Sequence, residues 1–202
     1  MTDWDARYTE AGWAFGTEPN DFVREQAHHL PPGRVLCLAE GEGRNAVWLA
    51  ARGYAVTGVD VSAAGLAKAQ RLAAERGVTV TTVCADLASF ALEPGAWQGI
   101  VSIFAHVPVD VRQRVHAALP QSLAPGGVLL LEAYRPQQVG RGTGGPSDDE
   151  RMLDLARLRA ELGGLEWLLA REVERDVIEG RCHTGPASVV QLVARRRDRA
   201  SG

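Results

Sequence analysis

Residues 35–45 read Val-Leu-Cys-Leu-Ala-Glu-Gly-Glu-Gly-Arg-Asn, and the apolar run that follows this stretch ends in an acidic residue, Asp60. The order is that of a short buried strand, a Gly-x-Gly turn, a helix and a second strand that ends in a carboxylate. Glycine permits the sharp bend and lets a ligand approach the main chain closely. A carboxylate at the tip of the second strand can accept hydrogen bonds from both hydroxyl groups of a ribose. The stretch therefore predicts a nucleoside-binding βαβ unit.

The composition narrows the class of protein. A chain of 202 residues with 46% apolar and 23% charged residues fits one soluble domain spanning residues 1–202. The net charge of −3 argues against nucleic acid as a partner, and no apolar run reaches the ~20 residues of a membrane span. The N-terminus lacks a signal-peptide pattern, and three scattered cysteines are typical of a reducing compartment. We expect a cytoplasmic protein that is a monomer or a homodimer.

The order of apolar runs predicts the fold class. Strand patterns alternate with helical patterns at residues 35–38, 44–51, 54–59, 63–76, 78–84, 100–104, 109–119, 128–132 and near 148–162. Pro120 should disturb the end of the helix before it. Strand patterns at 165–177 and 187–194 are joined by a turn-like segment without a crossover helix, so these strands must be antiparallel. We predict an α/β, Rossmann-like, doubly wound seven-stranded sheet, mostly parallel, with an antiparallel C-terminal hairpin.

Several short motifs occur in a fixed order along the chain. They are Gly16-Thr17-Glu18-Pro19-Asn20, Glu40-Gly41-Glu42-Gly43-Arg44-Asn45, Asp60, Ala85-Asp86-Leu87, Ser102–His106 and Pro125-Gly126-Gly127. By these motifs the chain resembles class I S-adenosylmethionine-dependent methyltransferases, and within them the tellurite-resistance/thiopurine-methyltransferase-like group. The resemblance implies that S-adenosylmethionine is the cofactor.

The resemblance also implies roles for individual residues. Gly41 and Gly43 would pass beneath the amino-acid and ribose parts of the cofactor, and Asp60 would hold the ribose hydroxyls. Val61 would contact the adenine, Asp86 would accept a hydrogen bond from the adenine 6-amino group, and Leu87 would lie beside the adenine. Asn45 and Phe104 complete the expected cofactor-binding set.

One departure from the family pattern concerns the first strand. The family often has Asp and Gly where this chain has Cys37 and Ala39. Glu40 would then provide the missing carboxylate by reaching the ammonium group of the cofactor. Cys37, like Cys84, lies in an apolar strand and is expected to be an inert core residue.

Two other classes of protein compete with the methyltransferase. Gly41-x-Gly43-x-x-Ala46 fits a relaxed dinucleotide fingerprint, which is typical of NAD(P)-dependent oxidoreductases. However, Glu40 would face the pyrophosphate of a dinucleotide, whereas the sulfonium and ammonium groups of S-adenosylmethionine favour nearby carboxylates. The third class is a non-catalytic nucleoside-binding protein of the same fold, suggested only by Cys37 and Ala39.

The first thirty residues have two possible roles. Trp4, Tyr8, Trp13 and Phe15 make this N-terminal arm strongly aromatic. The arm either folds over the strand ends as a lid or fills the core beneath the first helix. Residues 31–135 would form the cofactor-binding half and residues 136–202 the acceptor-side half.

The candidate catalytic residues follow the later strands. His106 is either a general base or a structural histidine. Arg181 and His183 lie in the C-terminal hairpin, near Tyr134, where they could bind an anionic acceptor or place a proton. We expect in-line displacement of the methyl group, without a metal, by a small-molecule acceptor. A soft thiol, selenol or tellurium nucleophile is the favoured acceptor.

Overall fold

The computed structural model describes residues 3–197, and its centre is a seven-stranded sheet in the order β3-β2-β1-β4-β5-β7-β6. The strands are β1 (Arg34–Leu38), β2 (Ala55–Asp60), β3 (Thr81–Cys84), β4 (Trp97–Ile103), β5 (Leu123–Tyr134), β6 (Leu165–Glu179) and β7 (His183–Arg196). The strands β1 to β5 are parallel, and β7 pairs antiparallel with both β5 and β6. The predicted fold class is confirmed.

The order of the strands fixes where a ligand can bind. β1 pairs with β2 on one side and with β4 on the other, so the chain reverses its direction of winding between β1 and β4. In open α/β sheets a crevice forms at this reversal, beyond the carboxyl ends of the strands. The residues that follow β1, β2, β3 and β4 are therefore the ones to inspect for a site.

The helices that flank the sheet are α1 (Trp4–Thr9), α2 (Asp21–Gln26), α3 (Arg44–Ala50), α4 (Ala63–Glu75), α5 (Val109–Ser122) and α6 (Leu155–Glu161). α4 begins where Ser62 caps it, because the Ser62 hydroxyl accepts a hydrogen bond from the Gly65 N–H at 3.0 Å. α3 begins after Gly43, whose φ of 90° is accessible to glycine at little cost. No helix among residues 3–197 has the length and apolarity needed to cross a bilayer.

The core consists of two apolar layers, one on each face of the sheet. Successive side chains of a strand point to opposite faces, and in β1 Leu36 and Leu38 enter one layer while Val35 and Cys37 enter the other. The prediction that Cys37 is a core residue is correct. The same prediction for Cys84 is wrong: its thiol is exposed, because β3 is the edge strand of the sheet.

Several predicted boundaries differ from the observed ones. α5 continues past Pro120 to Ser122, and only three residues, 180–182, separate β6 from β7. The hairpin is longer than predicted because its two strands pair without interruption from Val177 to the turn, where Glu179 pairs with His183. The helix expected near 148–162 is restricted to α6, which starts where Asp154 caps it.

Candidate active site

A cavity of about 450 Å³ lies at the carboxyl ends of β1 to β4. Its volume is in the range of small-molecule sites. The walls come from the strand ends, the N-terminal arm, the start of α5 and the segment before α6. The lining includes every predicted site residue except Gly41, Gly43, Tyr134 and Arg181.

Asp60, at the end of β2, is held in a fixed orientation by the backbone. Its Oδ2 accepts a hydrogen bond from the Gly41 N–H at 2.8 Å, and its Oδ1 accepts one from the Ser62 N–H at 2.8 Å. Burial raises the pKa of this carboxyl, although these hydrogen bonds oppose the shift. Each carboxylate oxygen keeps a further lone pair, so Asp60 can still accept from a ligand.

Beyond Asp60 the cavity is lined by two apolar side chains and a carboxylate. Val61 lines the cavity with half of its surface exposed, and Leu87, which is buried, also lines it. Asp86 is exposed in the cavity, and its Oδ1 accepts a hydrogen bond from the Ala88 N–H at 2.8 Å. Asp86 thus shapes a local turn and also lines the cavity.

Glu40 turns its carboxylate toward the start of α3. Its Oε1 accepts a hydrogen bond from the Ala46 N–H at 2.8 Å, and its Cγ lies where Gly58 leaves room, 3.2 Å from the position a Cβ would take there. Burial raises the pKa of Glu40 to about 7. This carboxylate lines the cavity, but helix α3 already provides it with a donor.

The two glycines of the turn are required by packing. A Cβ at Gly41 would lie 2.5 Å from the Tyr8 hydroxyl, and a Cβ at Gly43 would lie 2.5 Å from the Cβ of Ala69. Tyr8 is buried against Gly41 and Gly65. The arm and α4 therefore pack directly against the backbone of this turn.

Glu42, between these glycines, fastens the N-terminal arm over the cavity. Its Oε2 accepts hydrogen bonds from the N–H groups of Ala14 at 2.8 Å and Phe15 at 3.4 Å. Its Oε1 lies 2.8 Å from the Lys68 Nζ, which also donates to the carbonyl groups of Glu10 and Gly12. The Glu42 and Lys68 side chains are only 2% and 12% exposed, so water screens this ion pair weakly.

Two further contacts hold the arm. The Asp5 carboxylate accepts from the Ser62 hydroxyl and from the Ala64 N–H, so it extends the cap of α4. Arg181, in the tip of the β6–β7 hairpin, lies 2.6 Å from the Glu10 carboxylate. The structure therefore places Arg181 outside the cavity, as a tether between the hairpin and the arm.

The other half of the cavity has an aromatic wall. Phe104, in a left-handed conformation with φ of 51°, stacks on Tyr134 with ring centroids 4.5 Å apart. His183 meets the edges of Phe104 at 4.9 Å and Tyr134 at 5.3 Å, and Phe15 of the arm lies 4.5 Å from His183. The arm thus supplies part of the wall as well as the roof.

The two candidate histidines differ in their bonding. The His106 Nε2 accepts a hydrogen bond from the Tyr134 N–H at 3.1 Å, and burial lowers its pKa to about 3. His183 is buried, its Nδ1 lies 3.5 Å from the Glu179 carboxylate, and burial lowers its pKa. Among residues 3–197 the His183 Nδ1 has no hydrogen-bond partner.

Tyr134 lies behind this wall. Its ring is fully buried, burial raises the pKa of its hydroxyl, and that hydroxyl has no partner in the described part of the chain. The glycine-rich loop covers it: Cβ atoms at Gly144 and Gly145 would lie 2.9 Å and 2.8 Å from its side chain. Gly145 and Pro146 of this loop line the cavity.

A buried charged network next to the cavity was not predicted from the sequence. Asn20 donates to Glu132 at 3.0 Å and to Glu179 at 2.8 Å, and Arg44 donates to Glu179 at 2.7 Å. Two more side chains, those of Arg175 and Gln191, donate hydrogen bonds to Glu132 and complete the network. The only signal in the sequence was the acidic residue at an apolar strand position, Glu132, whose burial demands cationic partners.

Arg44 gives a test of whether the cavity fits the implied cofactor. It lines the cavity and is buried, yet its Nη1 has no hydrogen-bond partner within residues 3–197. S-Adenosylmethionine carries a carboxylate, which guanidinium groups bind well. With Asp60 for ribose and Val61 for adenine, the residues present fit this cofactor.

Comparisons with known proteins agree with this geometry. Residues 35–127 match the family model described as "Methyltransferase domain". The matched stretch is therefore similar to methyltransferase domains. The fold of the chain also resembles that of TehB. The structure of TehB from Haemophilus influenzae has a TM-score of 0.73 at 18% identity, over 96% of this chain and 66% of that one.

Two further proteins are similar. A 2-heptyl-1-hydroxyquinolin-4(1H)-one methyltransferase from Mycobacteroides abscessus is 30% identical over 125 residues, which cover 60% of this chain and 55% of the relative. The chain thus matches about half the length of this curated relative. A structure described with the conversion of a disulfide bond into a thioacetal group during echinomycin biosynthesis has a TM-score of 0.75 at 21% identity, over 98% of this chain and 92% of that one.

Proposed function

We propose that the protein transfers a methyl group from S-adenosylmethionine to a small-molecule acceptor. The observation that carries this proposal is the pair of Asp60 and Arg44 at one cavity: a carboxylate oriented by two backbone N–H groups, and a buried guanidinium with an unused N–H. The first suits a ribose diol and the second suits an amino-acid carboxylate. Neither Asp60 nor Glu40 suits a pyrophosphate, so an oxidoreductase is disfavoured.

The placement of the residues supports the following cofactor-binding roles. Asp60 binds the ribose hydroxyls, Val61 and Leu87 enclose the adenine, and Asp86 accepts from its amino group. Asn45, whose Oδ1 accepts from the Asn20 N–H at 2.9 Å, supports the turn from below. Gly41 and Gly43 shape the turn, and Glu40 supports it from within.

The chemistry supplied by the bound cofactor is a methyl group already activated on a sulfonium. The protein contributes alignment and the exclusion of water, for which the arm over the cavity is suited. Held by Asp60 and Arg44, the cofactor would supply this methyl group to the lone pair of the acceptor atom and would leave as S-adenosylhomocysteine.

His183 is the residue we assign to proton transfer. His183 lines the cavity, burial lowers its pKa, and its Nδ1 lies 3.5 Å from the Glu179 carboxylate, which can stabilise the protonated form. Where the acceptor carries a proton, that proton passes to His183. His106 has its Nε2 engaged by the Tyr134 N–H, so we assign His106 and Tyr134 to the wall of the acceptor site.

Calorimetric titration with S-adenosylhomocysteine, with NADH in parallel, tests the proposal. We expect binding of the sulfur nucleoside at micromolar concentration and none of NADH. Folded protein that binds neither would leave the non-catalytic alternative, and preference for NADH would favour the oxidoreductase. A screen for S-adenosylhomocysteine release over thiols, selenite, tellurite and hydroxylated ring compounds then addresses the acceptor. His183→Asn should lower kcat for acceptors that enter protonated and spare those that enter deprotonated.

A further inference from the structure

Two arginines line the cavity without an ion-pair partner in the described part of the chain. Arg7, on the arm helix α1, and Arg151, before α6, both line the cavity. Neither takes part in an ion pair among residues 3–197, whereas Arg44, the third arginine of the lining, pairs with Glu179. A partly enclosed guanidinium without a carboxylate is available for an anionic ligand.

The two arginines flank the same aromatic wall from different elements. Arg7 lies on the arm whose Phe15 ring is 4.5 Å from the His183 ring, and Arg151 follows Gly145 and Pro146, which also line the cavity. His183 and His106 stand beside Phe104, at ring-centroid distances of 4.9 and 6.0 Å. The positive charges therefore border the site that Phe104 lines.

Both negative and positive side chains line the cavity. The carboxylates that follow β1, β2 and β3, where the cofactor is proposed to bind, are Glu40, Glu42, Asp60 and Asp86. The carboxylate of Asp110 stands at the first turn of α5, where the helix dipole offsets its charge. The rest of the lining thus combines the aromatic rings of Phe104, His106 and His183 with two arginines and one carboxylate.

Given the proposed function, we infer that the methyl acceptor is a planar aromatic anion, with its ring against Phe104 and its charged group held by Arg7 and Arg151. The guanidinium fork fits a carboxylate in two parallel hydrogen bonds and also binds an ionised ring hydroxyl. Aromatic faces at van der Waals distance select a flat ring over a puckered one. This assignment gives Arg7 and Arg151 the anion-binding role that the sequence suggested for Arg181.

Binding of benzoate, benzamide and cyclohexanecarboxylate to the protein saturated with S-adenosylhomocysteine tests the inference. We expect benzoate to bind about tenfold more tightly than either analogue, since benzamide lacks the charge and cyclohexanecarboxylate lacks the flat ring. Nitrophenol, titrated below and above the ionisation of its hydroxyl, separates a ring oxyanion from a carboxylate as the preferred group. Equal affinity for benzoate and benzamide would overturn the inference, and equal affinity for benzoate and cyclohexanecarboxylate would overturn its aromatic part.

Variants locate the anion site. Arg7→Gln and Arg151→Gln should each reduce the ratio of benzoate to benzamide affinity several-fold, and a ratio cancels any general loss of folded protein. Arg52→Gln removes the same charge from the exposed end of α3, outside the cavity, and should leave the ratio unchanged. An unchanged ratio in both cavity variants would refute the assignment. If the unmodified protein does not bind S-adenosylhomocysteine, that result would instead refute the proposed function on which the inference rests.

Discussion

The buried ion pair between Glu42 and Lys68 makes a sharp prediction about the N-terminal arm. In Glu42→Gln the side chain keeps its shape and can still accept from the Ala14 N–H, but its amide N–H₂ group then faces the Lys68 ammonium. Lys68 retains the carbonyl groups of Glu10 and Gly12 as acceptors. The variant thus removes the charge that holds the arm and leaves the rest of the turn in place.

The magnitude follows from the burial of the pair. Removing one partner of a fully buried pair costs about 3–5 kcal/mol. Because Lys68 keeps two carbonyl partners and is 12% exposed, we expect about 2–3 kcal/mol for Glu42→Gln. This cost should appear as local opening of the arm, which should speed hydrogen exchange at the Ala14 amide by roughly 30- to 160-fold.

Amide exchange measured by NMR at Ala14 tests this prediction, with Glu18→Gln as the matched control. Glu18 lies on the same arm and pairs with Arg76 at 3.1 Å, but its side chain is 70% exposed, so its loss should change exchange little. Equal exchange rates in the two variants would refute the reasoning. So would an unchanged rate at Ala14 in Glu42→Gln.

Three other predictions concern the site and its support. Asp60→Asn should weaken S-adenosylhomocysteine binding by about 1.5–3 kcal/mol in calorimetry, because one amide N–H₂ must face a backbone N–H and the charge is lost; unchanged affinity would contradict the assigned ribose contact. The pKa of Glu40 is raised to about 7 from an ordinary value of 4.5, so its contribution to stability is fully present below pH 4.5 and is lost as the pH rises through 7. In urea denaturation, the free energy of unfolding of Glu40→Gln should therefore fall less between acidic and alkaline pH than that of the unmodified protein. The same dependence on pH in both proteins would contradict this. Gly43→Ala should destabilise more than Gly53→Ala in thermal unfolding, by about 1–3 kcal/mol, since both have φ near 90° but only the Cβ at position 43 would strike Ala69; equal losses would contradict the packing argument.

Local patterns in the sequence were sufficient to predict the fold and several residues that line the cavity at the ends of β1 and β2. The turn after β1, the carboxylate that ends β2 and the cap at Ser62 each depend on residues within one βαβ unit. The parallel order and the antiparallel hairpin also followed, because connection length decides strand direction.

The contacts in the other half of the cavity could not be predicted from local sequence patterns. Glu179 and Asn20 meet across 159 positions, and Arg44 meets Glu179 across 135, so no local pattern joins them. Arg7 and Arg151 gain their meaning only from the folded arm and the loop before α6. The exposure of Cys84 depends on β3 being an edge strand, which its β-branched sequence does not reveal.

The position of β7 has a consequence for how the chain is made. β7 lies between β5 and β6, although it is synthesised after both. While a ribosome is still extending the chain, the hydrogen-bonding edge of β5 has no neighbour, and β6 has no strand to join it to the sheet. An unpaired edge of this kind is a template for association with other chains. We expect the nascent protein to be vulnerable to aggregation until the segment from His183 to Arg196 has emerged, and to depend on chaperones most strongly in that interval.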